Sequence, residues 1–159
     1  NKTLSDRLLA GFALHRWGAM DKGSNFPPVR ARQLAAFVRD GLVPPPVDPA
    51  PLTPEETKGK EIFASEKVGC ATCHVPDSDY TNRSIAAFSA FPQRGYAEEK
   101  GAVFKTPSLL YVRGSAPYFH DGRFATLEDL IAKNNDQMGK TSHLGDDDKK
   151  ALIAFLRRL

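Results

Sequence analysis

Two cysteines and a histidine stand together as Cys70-Ala71-Thr72-Cys73-His74. The pattern C-x-x-C-H is the attachment signal for a c-type haem. Its spacing suits that chemistry. Two thiols reach the two vinyl groups of one porphyrin and become thioethers, and the adjacent imidazole lies under the iron as proximal ligand. A zinc site would want a second ligand pair at short spacing, such as H-x3-5-H, and the sequence contains none. A thioredoxin-like redox pair would want a surrounding βαβ pattern, also missing. The chain has 2 Cys and the motif uses both, so no disulfide is left to build.

The other face of the iron needs a ligand from elsewhere. The candidates are Met138, His120, His143 and Met20, and the choice is narrow because the chain has only 2 Met. A methionine often fills gaps in a core. Met138 instead sits between Asn134-Asn135-Asp136-Gln137 and Gly139-Lys140-Thr141, a polar, Gly-flanked stretch that argues for a loop. His143 and His15 read as exposed or loop residues, and His120 as a structural histidine. Lys105, Arg113 and Arg123 are candidates to neutralise the haem propionates, against their ordinary reading as solvated surface charge.

The elements that position these residues can be read in order. Residues 5–17 carry Leu8, Leu9, Phe12, Ala13 and Trp17 at helical spacing, with Thr3 or Ser5 as cap. Gly23, Pro27 and Pro28 break the chain. A second helix is predicted over 29–40, with Leu34, Phe37 and Val38 on one face and Gly41 as its C′ residue. The run Pro44 to Pro51 is a stiff, extended linker and reads as a domain boundary. Thr53-Pro54-Glu55-Glu56 then sets up a capping box with Pro at N1, opening a helix to about Ser65 that buries Ile62 and Phe63. From Pro76 to Lys105 no period is sustained, which predicts loop with weak helical pieces. Thr126 caps a helix through Asn134. The last helix, 146–159, buries Leu152, Ile153, Phe155, Leu156 and Leu159. Its three leading aspartates and closing Arg157-Arg158 suit the helix dipole. The expectation is an all-α haem fold with three parts: a two-helix segment 1–43, a linker 44–51 and a haem domain 52–159.

Composition agrees. The 159 residues are 41% hydrophobic and 26% charged, ordinary for a globular chain. Formal charge is +3, which two haem propionates would lower, and no basic stripe with interleaved aromatics points to nucleic acid. No run approaches the ~18 apolar residues of a membrane span. Asn1-Lys2-Thr3-Leu4 followed by Asp6 and Arg7 lacks a signal-peptide pattern, so a mature, trimmed or excised chain is expected. Covalent haem attachment takes place outside the cytoplasm, so a periplasmic or otherwise exported location is expected.

Residues 52–159 resemble the C-terminal haem domain of the bacterial dihaem cytochrome c peroxidase family. The matching segments are Gly59-Lys60-Glu61-Ile62-Phe63, Gly69 to His74, Tyr80-Thr81-Asn82, Phe104-Lys105-Thr106-Pro107-Ser108-Leu109, Ala116-Pro117-Tyr118-Phe119-His120-Asp121-Gly122 and Asp148 to Leu159. The resemblance implies a class I cytochrome c-like fold and a six-coordinate haem with His and Met ligands. It places the distal ligand at Met138 and sets His120 beside the haem rather than on the iron. It also implies a Ca2+ between two haem domains, held partly by backbone oxygens near Ser115 and Pro117. The sequence itself outlines no such site.

An internal match extends the reading. Gln33-Leu34-Ala35-Ala36-Phe37-Val38-Arg39 resembles Ala151-Leu152-Ile153-Ala154-Phe155-Leu156-Arg157, and the same spacing carries Met20 onto Met138 and Lys22 onto Lys140. Residues 1–43 thus read as the final loop and helix of an upstream cytochrome-like domain, on whose haem Met20 could be a ligand. Two functions follow. One is electron transfer through a closed His/Met haem c to a redox partner protein or an upstream haem domain. The other is the electron-feeding part of a dihaem peroxidase that reduces hydrogen peroxide. In either case, the intact mass of the denatured protein should equal the chain plus one haem. Bare polypeptide, or polypeptide plus zinc, would overturn the assignment of the motif.

Overall fold

The first helix, α1 (Leu4–Leu14), begins where Thr3 and Asp6 exchange hydrogen bonds: the Asp6 amide donates to Thr3 Oγ1 (3.1 Å) and the Thr3 amide to Asp6 Oδ2 (3.0 Å). This reciprocal cap satisfies amides that the helix end would otherwise leave open. The computed structural model describes residues 3–14, 19–20, 23–24, 28–43, 45–87 and 103–159. His15 and Trp17 lie outside the described residues. A short antiparallel ribbon, β1 (Ala19–Met20) with β2 (Gly23–Ser24), precedes α2 (Pro28–Ala36). The side chain of Met20 is also outside the described part.

Helix α2 continues as a wider, π-type turn over Phe37–Gly41. The face predicted for this helix is not the one that is buried. Ala31 and Ala35 are buried and Leu34 half-buried, but Phe37 is 58% exposed and Val38 is exposed too. In a regular 3.6-residue period Phe37 falls well to one side of Ala31 and Ala35, outside the stripe they form. The chain divides into two compact units, Asn1–Pro45 and Pro46–Leu159.

In the second unit, α3 (Pro54–Ala64) starts on a complete capping box. Thr53 Oγ1 accepts from the Glu56 amide (3.2 Å), and the Thr53 amide donates to Glu56 Oε2 (2.7 Å). The terminal helix α6 (Asp146–Arg158) crosses α3 in the most extensive helix contact among the described residues. Gly59 makes this approach possible. A Cβ there would stand 1.9 Å from the Ala151 carbonyl oxygen. Lys58 and Asp148 pair beside the crossing at 2.6 Å. The linker's second half belongs to this unit. Arg158, at the end of α6, binds the Asp48 carboxylate at 3.1 Å and donates to the carbonyls of Asp48 and Ala50.

The core lies between α3, α6 and α5 (Leu127–Lys133), the last capped by Thr126 Oγ1 accepting from the Asp129 amide (3.1 Å). Phe63, Tyr80 and Phe155 meet edge to face, with centroids 5.4 to 6.3 Å apart. The motif forms a single turn, α4 (Cys70–Cys73). The stretch after it is not all loop. It holds a second antiparallel ribbon, β3 (Ile85–Ala87) with β4 (Val103–Lys105), tied beneath by Thr81 Oγ1 donating to the Thr106 carbonyl (2.7 Å). Residues 88–102, the remainder of that stretch, lie outside the described residues. The fold is mostly helical with small two-stranded ribbons. Gly59→Ala should destabilise the second unit by about 2 kcal/mol or more, because the added methyl drives into helix backbone that cannot yield. A denaturant midpoint equal to the parent's would contradict the crossing.

Candidate haem-attachment site

The α4 turn is set by a left-handed residue. Gly69 (φ +77°) reverses the chain ahead of Cys70, and its amide donates to the Ser65 carbonyl at 2.8 Å. The His74 amide closes the turn on the Cys70 carbonyl (3.0 Å), and the Asn82 amide holds the Cys73 carbonyl (2.8 Å). Both thiols are half-buried and unpaired. Burial pushes the Cys70 thiol up to about 11. It is therefore protonated at neutral pH, unlike the thiolates of reactive or zinc-binding cysteines. Among the described residues no group of three or more His, Cys, Asp or Glu could hold a metal ion.

His74 is oriented by a backbone carbonyl. Its Nδ1 lies 2.9 Å from the Tyr80 carbonyl oxygen. A carbonyl only accepts, so Nδ1 carries the proton and Nε2 keeps its lone pair. Burial holds the imidazole below its ordinary pKa, against smaller opposing pulls from the Tyr80 and Pro107 carbonyls, so the ring is neutral at neutral pH. The carbonyl is fixed in turn. Asp79 and Tyr80 take positive φ (55° and 54°), Ser108 Oγ donates to the Asp79 carbonyl (2.6 Å), and the Tyr80 ring is wedged against Phe63 and Phe155.

Met138 is half-buried against the core, at the tip of a loop between α5 and α6. The loop meets the motif directly. The Lys140 amide donates to the Val68 carbonyl (2.8 Å), and a Cβ on Gly139 (φ +102°) would fall 2.8 Å from Cys70 Sγ. His143 is exposed further along the same connection.

His120 belongs to a different turn. Tyr118 and Phe124 pair across it, and Phe119 and Gly122 have positive φ. The His120 ring stacks on Phe104 at 4.2 Å and leans on Phe119 at 4.9 Å. Phe104 comes from β4, so the ribbon and the His120 turn meet through these rings. The three cations expected near propionates separate. Arg123 grips Asp121 with Nε (2.8 Å) and Nη2 (2.5 Å). Arg113 donates to the Arg157 carbonyl (3.2 Å) and lies over the Tyr111 ring. Lys105 is exposed on β4. The structure thus brings the motif, Tyr80 and the Met138 loop together. Sequence reading missed Tyr80, Gly139 and Thr81 as parts of the site. Tyr80-Thr81 carried a signal only as a matched segment with no role attached.

The profile of the di-haem cytochrome c peroxidase family matches residues 59–158. The chain belongs to this family. Its relatives include hydrazine synthase subunit gamma of Kuenenia stuttgartiensis, 26% identical, with 89% of this chain and 52% of that protein covered. Cytochrome c551 peroxidase of Nitrosomonas europaea is 30% identical over 68% of this chain and 35% of its own length. Methylamine utilization protein MauG of Methylorubrum extorquens is 26% identical over 70% and 36%. Among solved structures, xenon-pressurised hydrazine synthase of Kuenenia stuttgartiensis superposes with TM-score 0.67 at 25% identity, covering 89% of this chain and 59% of that one. A MauG-like protein associated with microbial copper homeostasis shares the fold alone, at TM-score 0.53 and 21% identity, covering 100% and 63%. The chain spans about half or less of the curated relatives named here. Membership assigns it to haem-based redox chemistry in a cytochrome c family.

The Asp121–Arg123 pair predicts an acid response. Hydrogen bonding to Arg123 holds the Asp121 carboxyl below its ordinary value, so the stability it contributes is present above the ordinary carboxylate range. That stability is lost as pH falls through the depressed value. Asp121→Asn should cost about 1 kcal/mol at neutral pH, solvent screening limiting the figure, and should flatten this acid limb. Parent and variant stabilities that stay equally far apart at pH 2 would contradict it.

Proposed function

We propose that this chain carries one covalent haem c with His74 and Met138 as axial ligands and acts as an electron-transfer module within a larger two-haem protein. The observation that carries the reading is the His74 Nδ1–H committed to the Tyr80 carbonyl, which leaves the lone pair on Nε2. Metal-ligating histidines are oriented by a partner of this kind. The two half-buried thiols beside it and the close approach of Gly139 to Cys70 fit a haem clasped between motif and loop. When bound, the haem supplies one-electron chemistry at a potential raised by thioether ligation. The chain's own residues attach it through Cys70 and Cys73, hold it through His74, and cover the remaining iron face with Met138. His120 sits beside it, and Lys105, Arg113 and Arg123 are assigned to its propionate side. The haem domain, 52–159, is class I cytochrome c-like and takes the C-terminal place in the parent protein.

Residues 1–43 are the closing loop and helix of an upstream haem domain, with Met20 on its haem. The exposed Phe37 and Val38 support this, since their counterparts in the repeat, Phe155 and Leu156, are buried. Among the described residues no helix is long and apolar enough to cross a membrane. The proposed setting is periplasmic or otherwise exported, with a redox partner protein or the upstream domain as electron donor or acceptor. A Ca2+ at the domain junction would rest on carbonyls near Ser115 and Pro117.

A second reading is favoured by the relatives' names. In it the same module feeds electrons to a peroxide-reducing haem elsewhere in the parent. The two agree on this chain. The purified ferric protein should bind cyanide only slowly and show negligible peroxide turnover, while Met138→Ala abolishes the red-edge sulfur-to-iron band and lowers the potential. Rapid cyanide binding by this chain alone, with substantial peroxidase activity, would move catalysis into it.

A further inference from the structure

The loop that carries Met138 is closed at its base by a buried polar lock. Asn134 ends α5 and is 1% exposed, and Thr141 is 2% exposed. Asn134 Nδ2 donates to Thr141 Oγ1 (2.9 Å) and to the Leu130 carbonyl (3.1 Å), while Thr141 Oγ1 donates to the Ile131 carbonyl (2.8 Å). The loop is thereby stapled across its own ends. Among the described residues Asn134 Oδ1 finds no donor. An apolar residue would avoid that penalty, so packing alone does not account for an amide here.

A second ring of bonds sits above the first. Asp136 Oδ1 accepts from the amides of Thr141 (2.7 Å) and Ser142 (2.9 Å), and Oδ2 accepts from Ser142 Oγ (2.6 Å). Asn135 and Asp136 both take positive φ (50° and 58°), a conformation that the surrounding bonds must hold in place. Above this base only Gln137, Met138, Gly139 and Lys140 remain, and Lys140 and Gly139 rest on Val68 and Cys70. Met138 therefore has little room to move while the lock is closed.

We propose that Asn134 and Thr141 are positioning residues for the Met138 thioether, acting through the loop base to keep the sixth coordination position closed to outside ligands. The proposal rests on the His74/Met138 reading above. Breaking the lock should raise the population of the open loop and let small ligands compete with the thioether. The loss of one buried hydrogen bond corresponds to about a tenfold shift in such an equilibrium.

The test uses the full haem-loaded chain. Cyanide binding to the ferric form is followed in Thr141→Val, Thr141→Ser and Asn134→Ala, alongside Met138→Ala. Thr141→Val should bind cyanide about tenfold faster than the parent and weaken the red-edge sulfur band, while Thr141→Ser, which keeps the hydroxyl, should behave as the parent. Asn134→Ala should match Thr141→Val. If it does not fold, Thr141→Val decides. Cyanide kinetics and a sulfur band in Thr141→Val equal to the parent's would overturn the lock, even with Met138→Ala losing its band. A band that survives in Met138→Ala would overturn the ligand assignment, and the lock with it.

Discussion

The bond from His74 Nδ1 to the Tyr80 carbonyl is the constraint on which the rest of the second unit depends. It selects the tautomer, orients the ring and leaves one nitrogen as a donor. The bond exists only because the chain doubles back six residues after the histidine, through two consecutive left-handed residues. That reversal would be strained in isolation. It is held by the Tyr80 ring between Phe63 of α3 and Phe155 of α6 and by Ser108 on the Asp79 carbonyl. The α3–α6 crossing therefore acts on the site through an aromatic contact. Gly59, several residues before the motif in the chain, matters because it sets how closely those two helices approach.

Two loops with separate supports converge on this frame. The motif turn hangs from α3 through Ser65 and Gly69, and the Met138 loop hangs from α5 through Asn134 and Thr141. They touch where Gly139 meets Cys70 and where Lys140 binds Val68. Under the proposed electron-transfer role, ligands supplied by rigid elements on two sides would keep reorganisation small when charge changes.

Much of this was legible in the sequence, for identifiable reasons. The helices beginning at Thr53 and Thr126 were readable because capping uses short-range chemistry with fixed offsets, and both caps form. Helix α6 was readable because its apolar stripe and terminal charges agree. The second ribbon was not, because three-residue strands are too short to establish a period. The face of α2 was misjudged because its buried residues are the small Ala31 and Ala35, which weigh little in an apolar-stripe reading beside Phe37 and Val38. At the site, the motif was visible because its ligands are adjacent in sequence. Tyr80 acts through its backbone carbonyl, which every residue possesses, so no side-chain signal could single it out. Gly139 and the Asn134–Thr141 lock are tertiary facts that need the fold.

On the reading proposed above, one thioether, that of Met138, faces His74 across a haem. Two methionines make the claim unusually direct to examine. With the methionine methyl groups isotopically labelled, proton–carbon correlation spectra of the reduced, diamagnetic haem-loaded chain contain two methyl signals. The Met138 methyl should be displaced far upfield by the porphyrin ring current while the Met20 methyl stays in the ordinary range, the two being assigned by single substitution. Two methyl signals in the ordinary range, or an upfield signal that disappears on substituting Met20 rather than Met138, would contradict it.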